Sequence, residues 1–67
     1  MRIMLNGNWH ELEAATLDLA RALEGLGYGA TVVATALNGE FIAASSREMT
    51  PLHEGDRLEV LAPMQGG

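Results

Sequence analysis

The sequence predicts an α+β domain in which a mixed sheet of four to five strands packs on one helix. Two Asn-Gly pairs, at residues 6–7 and 38–39, each separate apolar-rich runs. This is the strongest short-range hairpin pattern, because both residue types tolerate a positive φ. A segment with apolar residues at helical spacing lies between the pairs, and an alternating strand follows the second one. The predicted order is therefore β-β-α-β-β-β.

The two hairpins and the last strand make up the predicted sheet. The first hairpin is expected to pair residues 2–6 with 8–13, and the second residues 31–37 with 40–43. RLEVLA, at residues 57–62, alternates Leu58 and Val60 on one face with Glu59 and Leu61 on the other. The first and last strands are both apolar and of similar length, so we expect them side by side in the centre of the sheet. That arrangement is the β-grasp.

A helix is predicted in TLDLARALEGL, at residues 16–26, because its apolar residues can form one buried stripe: Leu19, Ala20, Leu23 and Leu26. Thr16 is the expected N-cap, and Asp18 suits the positive end of the helix dipole. Gly25 or Gly27 is expected to end the helix in a left-handed conformation. SSREMTPLHEG, at residues 45–55, is expected to be a loop or a single helical turn, with Gly55 at positive φ.

Length and charge restrict the classes of protein to which the chain can belong. Sixty-seven residues suffice for one domain, which we assign to residues 1–62, followed by a flexible tail at 63–67. Four arginines, no lysine and nine acidic residues give a net charge of -5, which argues against nucleic-acid binding. No apolar stretch is long enough for a signal peptide or a membrane span. We therefore expect a cytoplasmic protein that contacts no membrane, and the absence of cysteine fits a reducing compartment.

Residue types used in metal and catalytic sites are present but scattered. His10 and His53 are far apart in sequence and no cysteine accompanies them, so no metal site is expected. The glycines of EGLGYGA follow the helix, whereas a phosphate-binding loop places them before one. Carboxylates occur singly, with no nucleophile beside them. The sequence thus predicts no catalytic residue and no bound cofactor.

The outer face of the sheet is the candidate partner-docking surface. If Leu12 points into the core, alternation sends Trp9 to the opposite face, together with Met4 and Leu61. An exposed tryptophan is a frequent anchor at protein interfaces. Trp9 is equally compatible with a place in the core or over the sheet edge, and both alternatives remain open from the sequence.

The last five residues, PMQGG, form the candidate reactive tail. Pro63 ends the last strand, since it cannot donate to a ladder, and the tail can extend at most about 17 Å. Met64, Gln65 and Gly66 would thread a narrow channel in another protein, because glycine passes a constriction that a Cβ would block. The carboxylate of Gly67 is a poor electrophile until it is activated. A nucleotide triphosphate bound by another protein could supply that activation.

Four segments together resemble the ubiquitin-like sulfur carriers, and most closely the ThiS type of thiamine biosynthesis: MRIMLNG, TLDLARAL, ALNGEFI and TPLHEGDRLEVLAPMQGG. The last segment is the most specific, because a Pro-Leu, a Gly-Asp turn, a final apolar strand and a terminal Gly-Gly occur in that order. The resemblance covers nearly the whole chain.

The resemblance implies a function in which other proteins perform the chemistry. An adenylating E1-like enzyme of the ThiF type would activate the Gly67 carboxylate with ATP and Mg²⁺. The carboxylate would then become a thiocarboxylate, with sulfur from a cysteine desulfurase. A ThiG-type thiazole synthase would receive that sulfur. The chain itself would be a co-substrate and would catalyse nothing.

Three other readings share the predicted fold. The carrier could serve another product, such as molybdopterin, cysteine or a secondary metabolite. The domain could be a β-grasp interaction module with an idle tail, or a modifier that is conjugated to other proteins. These alternatives differ in what happens at Gly67, which the sequence does not decide.

Overall fold

The structure is a computed structural model that describes residues 1–13 and 18–62. The tail expected at residues 63–67 lies outside the described residues, so the division into domain and tail stays a prediction. The elements in chain order are β1 (Arg2–Leu5), β2 (Asn8–Glu11), α1 (Leu19–Gly25), β3 (Ala34–Leu37), β4 (Glu40–Ile42), a 3-10 helix (Ala44–Met49) and β5 (Arg57–Leu61). None of the helices in this part of the chain is long and apolar enough to span a bilayer.

The sheet has five strands in the order β2-β1-β5-β3-β4. Strands β1 and β5 run parallel, with Leu5 opposite Leu58, whereas β1 with β2, β3 with β4 and β3 with β5 are antiparallel. The first and last strands therefore lie next to each other, with β5 in the middle of the sheet. This confirms the expected central pairing and the expected mixed sheet.

Both hairpins turn at their Asn-Gly pair, as the sequence predicts. Asn6 and Gly7 have φ of 49° and 87°, and Asn38 and Gly39 have φ of 51° and 85°. Two successive residues at positive φ define the type I′ turn, whose twist matches that of the flanking strands. The second hairpin is shorter than predicted, because β3 begins at Ala34 and β4 ends at Ile42.

The helix begins later than expected, and the prediction of Thr16 as its N-cap is wrong. Asp18 is the N-cap, and its carboxylate accepts a hydrogen bond from the backbone N–H of Arg21 at 2.8 Å. Thr16 itself lies outside the described residues. The acidic side chain thus satisfies one of the free N–H groups of the first turn, in addition to its favourable charge.

The helix ends in a Schellman motif at Gly27, whose φ is 94°. The N–H of Gly27 donates to the carbonyl of Glu24 at 3.1 Å, and the N–H of Tyr28 donates to the carbonyl of Leu23 at 2.8 Å. These are the two bonds that define the motif. Of the two expected stop residues, Gly27 therefore provides the left-handed position and Gly25 is the last helical residue.

The core lies between α1 and the inner face of the sheet. On the helix the fully buried residues are Leu19, Ala22 and Leu23, with Leu26 half-buried and Ala20 only partly covered. Ala22 replaces Ala20 in the predicted stripe because it follows Leu19 by three positions, on the same helical face. The whole buried apolar set is Ile3, Leu5, Leu12, Leu19, Ala22, Leu23, Val33, Leu52, Leu58 and Val60.

The outer face of the sheet and the end of β5

Alternation along each strand defines the outer face, which is the side of the sheet away from α1. On β5, Leu58 and Val60 are buried, whereas Arg57, Glu59 and Leu61 are exposed. The same alternation places Arg2 and Met4 of β1 and Trp9 and Glu11 of β2 on the outer face. The outward-facing charges of the strands are two arginines and two glutamates, which cancel. The net charge of -5 therefore resides elsewhere on the chain.

Trp9 and Met4 lie directly opposite each other on β2 and β1. Trp9 is 50% exposed, and the guanidinium of Arg2 lies over its ring at 4.6 Å from the centroid. Arg2 thus makes a cation–π contact that covers one face of the indole. Of the alternatives for Trp9, the structure supports a surface position, with one face of the ring covered by Arg2.

Leu61, the third expected docking residue, is 71% exposed at the far end of β5. It lies opposite Ala34, and Ala36 lies opposite Phe41, which is 70% exposed. Together with Asn6, Thr35 and Glu59, these four residues line a shallow groove of about 190 Å³, and we call the four the Leu61 patch. Phe41 was not among the docking residues expected from the sequence. Alternation along β4 could have identified it, because Ile42 faces the core and its neighbour Phe41 must then lie on the outer face.

Charged side chains separate the two apolar areas of the outer face. Arg57 lies opposite Met4, and Glu59 lies between Arg57 and Leu61 on the exposed side of β5. The expected residues Met4, Trp9 and Leu61 thus share one face, but Met4 and Trp9 form one area while Leu61 belongs to another. The Leu61 patch is the area next to the point where β5 ends.

The end of β5 is held by a side chain. The Val60 N–H donates to Oδ1 of Asn6 at 2.9 Å, and Nδ2 of Asn6 donates to the Val60 carbonyl at 3.1 Å. Ala62 is the last described residue of this segment. Met64, Gln65, Gly66 and Gly67, the expected threading and reaction residues, lie outside the described part of the chain, and their roles stay predictions.

Polar residues near the start of β5 form a turn. Gly55 has a φ of 86°, and the backbone N–H of His53 donates to the carboxylate of Asp56 at 2.8 Å. The positive φ expected at Gly55 is confirmed. Within the described residues, no three histidine, aspartate or glutamate side chains come close enough together to hold a metal ion.

A five-stranded sheet whose first and last strands pair in parallel at its centre, with one helix across its inner face, is the ubiquitin-like β-grasp. The family model named ThiS family matches residues 3–67. The chain therefore belongs to the ThiS family.

Individual relatives agree with the family assignment. The chain is similar to a protein of Thermus thermophilus named sulfur carrier protein ThiS, with 40% identity over 97% of this chain and 98% of that one. It is also similar to the crystal structure of the thiamine biosynthesis protein ThiS from Geobacter metallireducens, with a TM-score of 0.82, 30% identity and full coverage of both chains. A solution structure of a thiamine biosynthesis protein from the same organism gives a TM-score of 0.81 and 29% identity, over 100% of this chain and 88% of that one.

Proposed function

We propose that this chain is a sulfur carrier in thiamine biosynthesis and that its reactive group is the Gly67 carboxylate. The observation that supports this most strongly is the family match over residues 3–67, which includes the terminal Gly-Gly. The relative from Thermus thermophilus, at 40% identity, carries the name sulfur carrier protein. Membership of the ThiS family rests on the match itself and does not depend on the reaction at Gly67.

The proposed chemistry takes place in two steps at one carbon atom. A carboxylate oxygen of Gly67 attacks the α-phosphorus of ATP, and pyrophosphate leaves, so that the carboxylate becomes an acyl-adenylate. A cysteine desulfurase takes sulfur from cysteine as an enzyme persulfide, and a thiol reductant, which is itself oxidised to a disulfide, releases that sulfur as sulfide. The sulfide then displaces AMP and leaves a thiocarboxylate. ATP and Mg²⁺ are bound by the ThiF-type activating enzyme, and the carrier contributes only the acyl group.

The outer face of the sheet is the proposed docking surface for the activating enzyme and for the ThiG-type thiazole synthase. Leu61 is 71% exposed, and only Ala62 separates it from the tail. A partner that covers the Leu61 patch would therefore hold the chain beside the start of the tail. Met4 and Trp9 provide a second apolar contact area, of the kind in which aromatic anchors concentrate binding energy.

Intact-mass measurement tests the proposed chemistry directly. The chain is incubated with a ThiF-type enzyme, ATP, Mg²⁺, cysteine, a cysteine desulfurase and a thiol reductant. We expect the mass to rise by the difference between one sulfur and one oxygen atom. A chain that lacks Gly67 is the control, and its mass should stay constant. An unchanged mass of the full chain, with an enzyme that is active on its own carrier, would contradict the proposal.

Genetic rescue tests the product that receives the sulfur. A bacterial strain that lacks its own ThiS-type carrier requires added thiamine, and the full chain is expected to restore growth without it. The chain that lacks Gly67 is expected to give no growth. Formation of the thiocarboxylate without rescue would favour a carrier for a different product over a thiamine carrier.

A further inference from the structure

Strand β5 extends beyond the partner strand that pairs with it in parallel. β1 ends at Leu5, and the chain then turns at Asn6, whereas β5 continues to Leu61. The last backbone bond between these segments runs from the Asn6 N–H to the Leu58 carbonyl, at 2.9 Å. Beyond this point the backbone of β1 is no longer available, because the chain has entered the hairpin to β2.

The side-chain amide of Asn6 continues the ladder where the backbone stops. Its Oδ1 accepts from the Val60 N–H at 2.9 Å, and its Nδ2 donates to the Val60 carbonyl at 3.1 Å. One planar amide thus supplies an acceptor and a donor to the same residue, as a neighbouring peptide strand would. Both bonds are partly buried, so their loss would leave two polar groups poorly solvated.

A second asparagine makes a comparable contact at the opposite end of β5. The Arg57 N–H donates to Oδ1 of Asn38 at 2.9 Å, and Nδ2 of Asn38 donates to Oδ1 of Asp56 at 3.1 Å. Asn38 has a φ of 51° and Asn6 a φ of 49°, so the two turns share their geometry. Asn38 contacts the start of β5, far from the tail, and is therefore a matched internal control.

We propose that Asn6 is a positioning residue that holds the end of β5 on the side facing β1, and hence restricts the volume that the Gly67 carboxylate can reach. This inference depends on the proposed function. Val60 is two residues before Ala62, where the described segment ends. On its other side β5 stays paired with β3, where Leu61 lies opposite Ala34, so removal of the Asn6 amide leaves the end of the strand held on one side only. The carboxylate then samples a larger volume around the activating site.

A looser end of β5 slows activation more than it weakens docking. Chemistry at Gly67 requires the carboxylate to sit within a narrow range of the ATP α-phosphorus, and a misplacement of about 1 Å can cost up to about 100-fold in rate. Asn6 also lines the groove of the Leu61 patch, but its substitution leaves Leu61 paired with Ala34 and does not change Met4 or Trp9. A positioning role therefore lowers kcat for activation, whereas a loss of general stability would leave kcat unchanged for the folded fraction.

Asn6→Gly and Asn38→Gly form the test, because glycine keeps the positive φ and removes only the side-chain amide. Amide hydrogen exchange is measured by NMR on the free proteins. We expect Asn6→Gly to accelerate exchange at Val60 and Asn38→Gly to accelerate it at Arg57. Asn6→Asp is expected to be intermediate, since its carboxylate accepts from the Val60 N–H but cannot donate to the carbonyl.

Adenylation kinetics with the ThiF-type enzyme complete the test. We expect Asn6→Gly to lower kcat about tenfold with little change in KM, and Asn38→Gly to stay within about twofold of the parent chain. Equal kcat values for the two variants, or unchanged exchange at Val60 in Asn6→Gly, would overturn the proposal. If the parent chain is not activated at all, the proposed function is wrong, and the exchange data still decide whether Asn6 holds the end of β5.

Discussion

Thr35 is a buried polar residue whose hydrogen bonds are supplied by two other segments. Its side chain is 2% exposed, its hydroxyl donates to the Ile42 carbonyl at 2.8 Å, and Nε of Arg47 donates to that hydroxyl at 3.1 Å. Arg47 also donates through Nη2 to the Val33 carbonyl at 2.6 Å. The half-buried guanidinium of Arg47 thereby connects the 3-10 helix to β3. It provides hydrogen bonds to the Thr35 hydroxyl and the Val33 carbonyl, which have little access to water.

Replacement of Arg47 by alanine is expected to destabilise the domain by about 1–3 kcal/mol, because the Val33 carbonyl and the Thr35 hydroxyl each lose a charged partner. Urea denaturation of the two proteins measures the difference. Arg21→Ala is the control, since Arg21 is exposed on α1 and should change stability by less than about 0.5 kcal/mol. Equal effects of the two substitutions would contradict this role of Arg47.

At the scale of the elements, the end of α1 depends on one backbone conformation. Gly25 and Gly27 both have open space where a Cβ would be placed, but only Gly27 has a positive φ, of 94°. The two glycines therefore differ in backbone conformation and not in steric room. Glycine is therefore required at position 27 by the backbone conformation of the Schellman motif and not by packing.

Opposite changes in stability are expected when each of these glycines becomes alanine. Gly27→Ala should cost about 1 kcal/mol, because alanine is strained in the left-handed region. Gly25→Ala should gain about 0.5–1 kcal/mol, because alanine loses less backbone entropy in a helix. Thermal unfolding followed by circular dichroism measures both. A gain in stability from Gly27→Ala would show that the motif does not limit the helix.

The outer face of the sheet gives a prediction about partner binding. Leu61→Asp, Phe41→Asp and Met4→Asp are each expected to weaken binding to the activating enzyme about tenfold or more, because a charge replaces apolar contact area. Met49→Asp is the matched control, since Met49 is 84% exposed on the 3-10 helix, which packs beside α1 on the other side of the sheet.

Calorimetric titration with the activating enzyme measures these affinities, and circular dichroism verifies that each variant is folded. The Leu61 patch predicts a larger effect for Leu61→Asp and Phe41→Asp than for Met49→Asp. If all four variants bind as the parent chain does, the outer face is not the docking surface. A loss confined to Met4→Asp would assign docking to the area around Trp9 instead.

At the scale of the whole molecule, the stability of the chain depends on few buried side chains. Ile3, Leu19 and Leu58 have no exposed surface, and a domain of this length has a free energy of unfolding of about 3–10 kcal/mol. Each large apolar residue in the core is therefore a substantial fraction of the total.

Leu58→Ala is expected to cost about 2–5 kcal/mol, which leaves the domain marginally folded or unfolded. Leu61→Ala is the control on the same strand, because Leu61 is 71% exposed and truncation there should cost less than about 0.5 kcal/mol. Urea denaturation compares the two variants with the parent chain. A similar loss of stability in both variants would mean that side chains on the inner and outer faces of β5 contribute equally to the free energy of unfolding.

The order of elements could be predicted from the sequence, because Asn-Gly turns and alternation are local patterns. The central pairing of β1 with β5 could be predicted because both strands are apolar and of similar length. Element ends were less predictable. The N-cap at Asp18 and the start of β3 at Ala34 depend on tertiary contacts, such as the bond from the Leu19 N–H to the Thr50 carbonyl at 2.9 Å. Two side-chain contacts could not be predicted: the one between Arg2 and Trp9, and the hydrogen bonds of Asn6 to Val60. Both depend on strand register and side-chain rotamers, which no local pattern specifies.

The position of β5 has a consequence for the order in which the molecule forms. The strand order places the hairpin of β1 and β2 on one side of β5 and the hairpin of β3 and β4 on the other. Each hairpin can form early from local contacts, but a two-stranded hairpin alone is marginal in water. The two hairpins therefore stay separate, transient ribbons until β5 pairs with both of them. Only then is the sheet continuous, so the pairing of this strand, rather than formation of the helix, completes the fold.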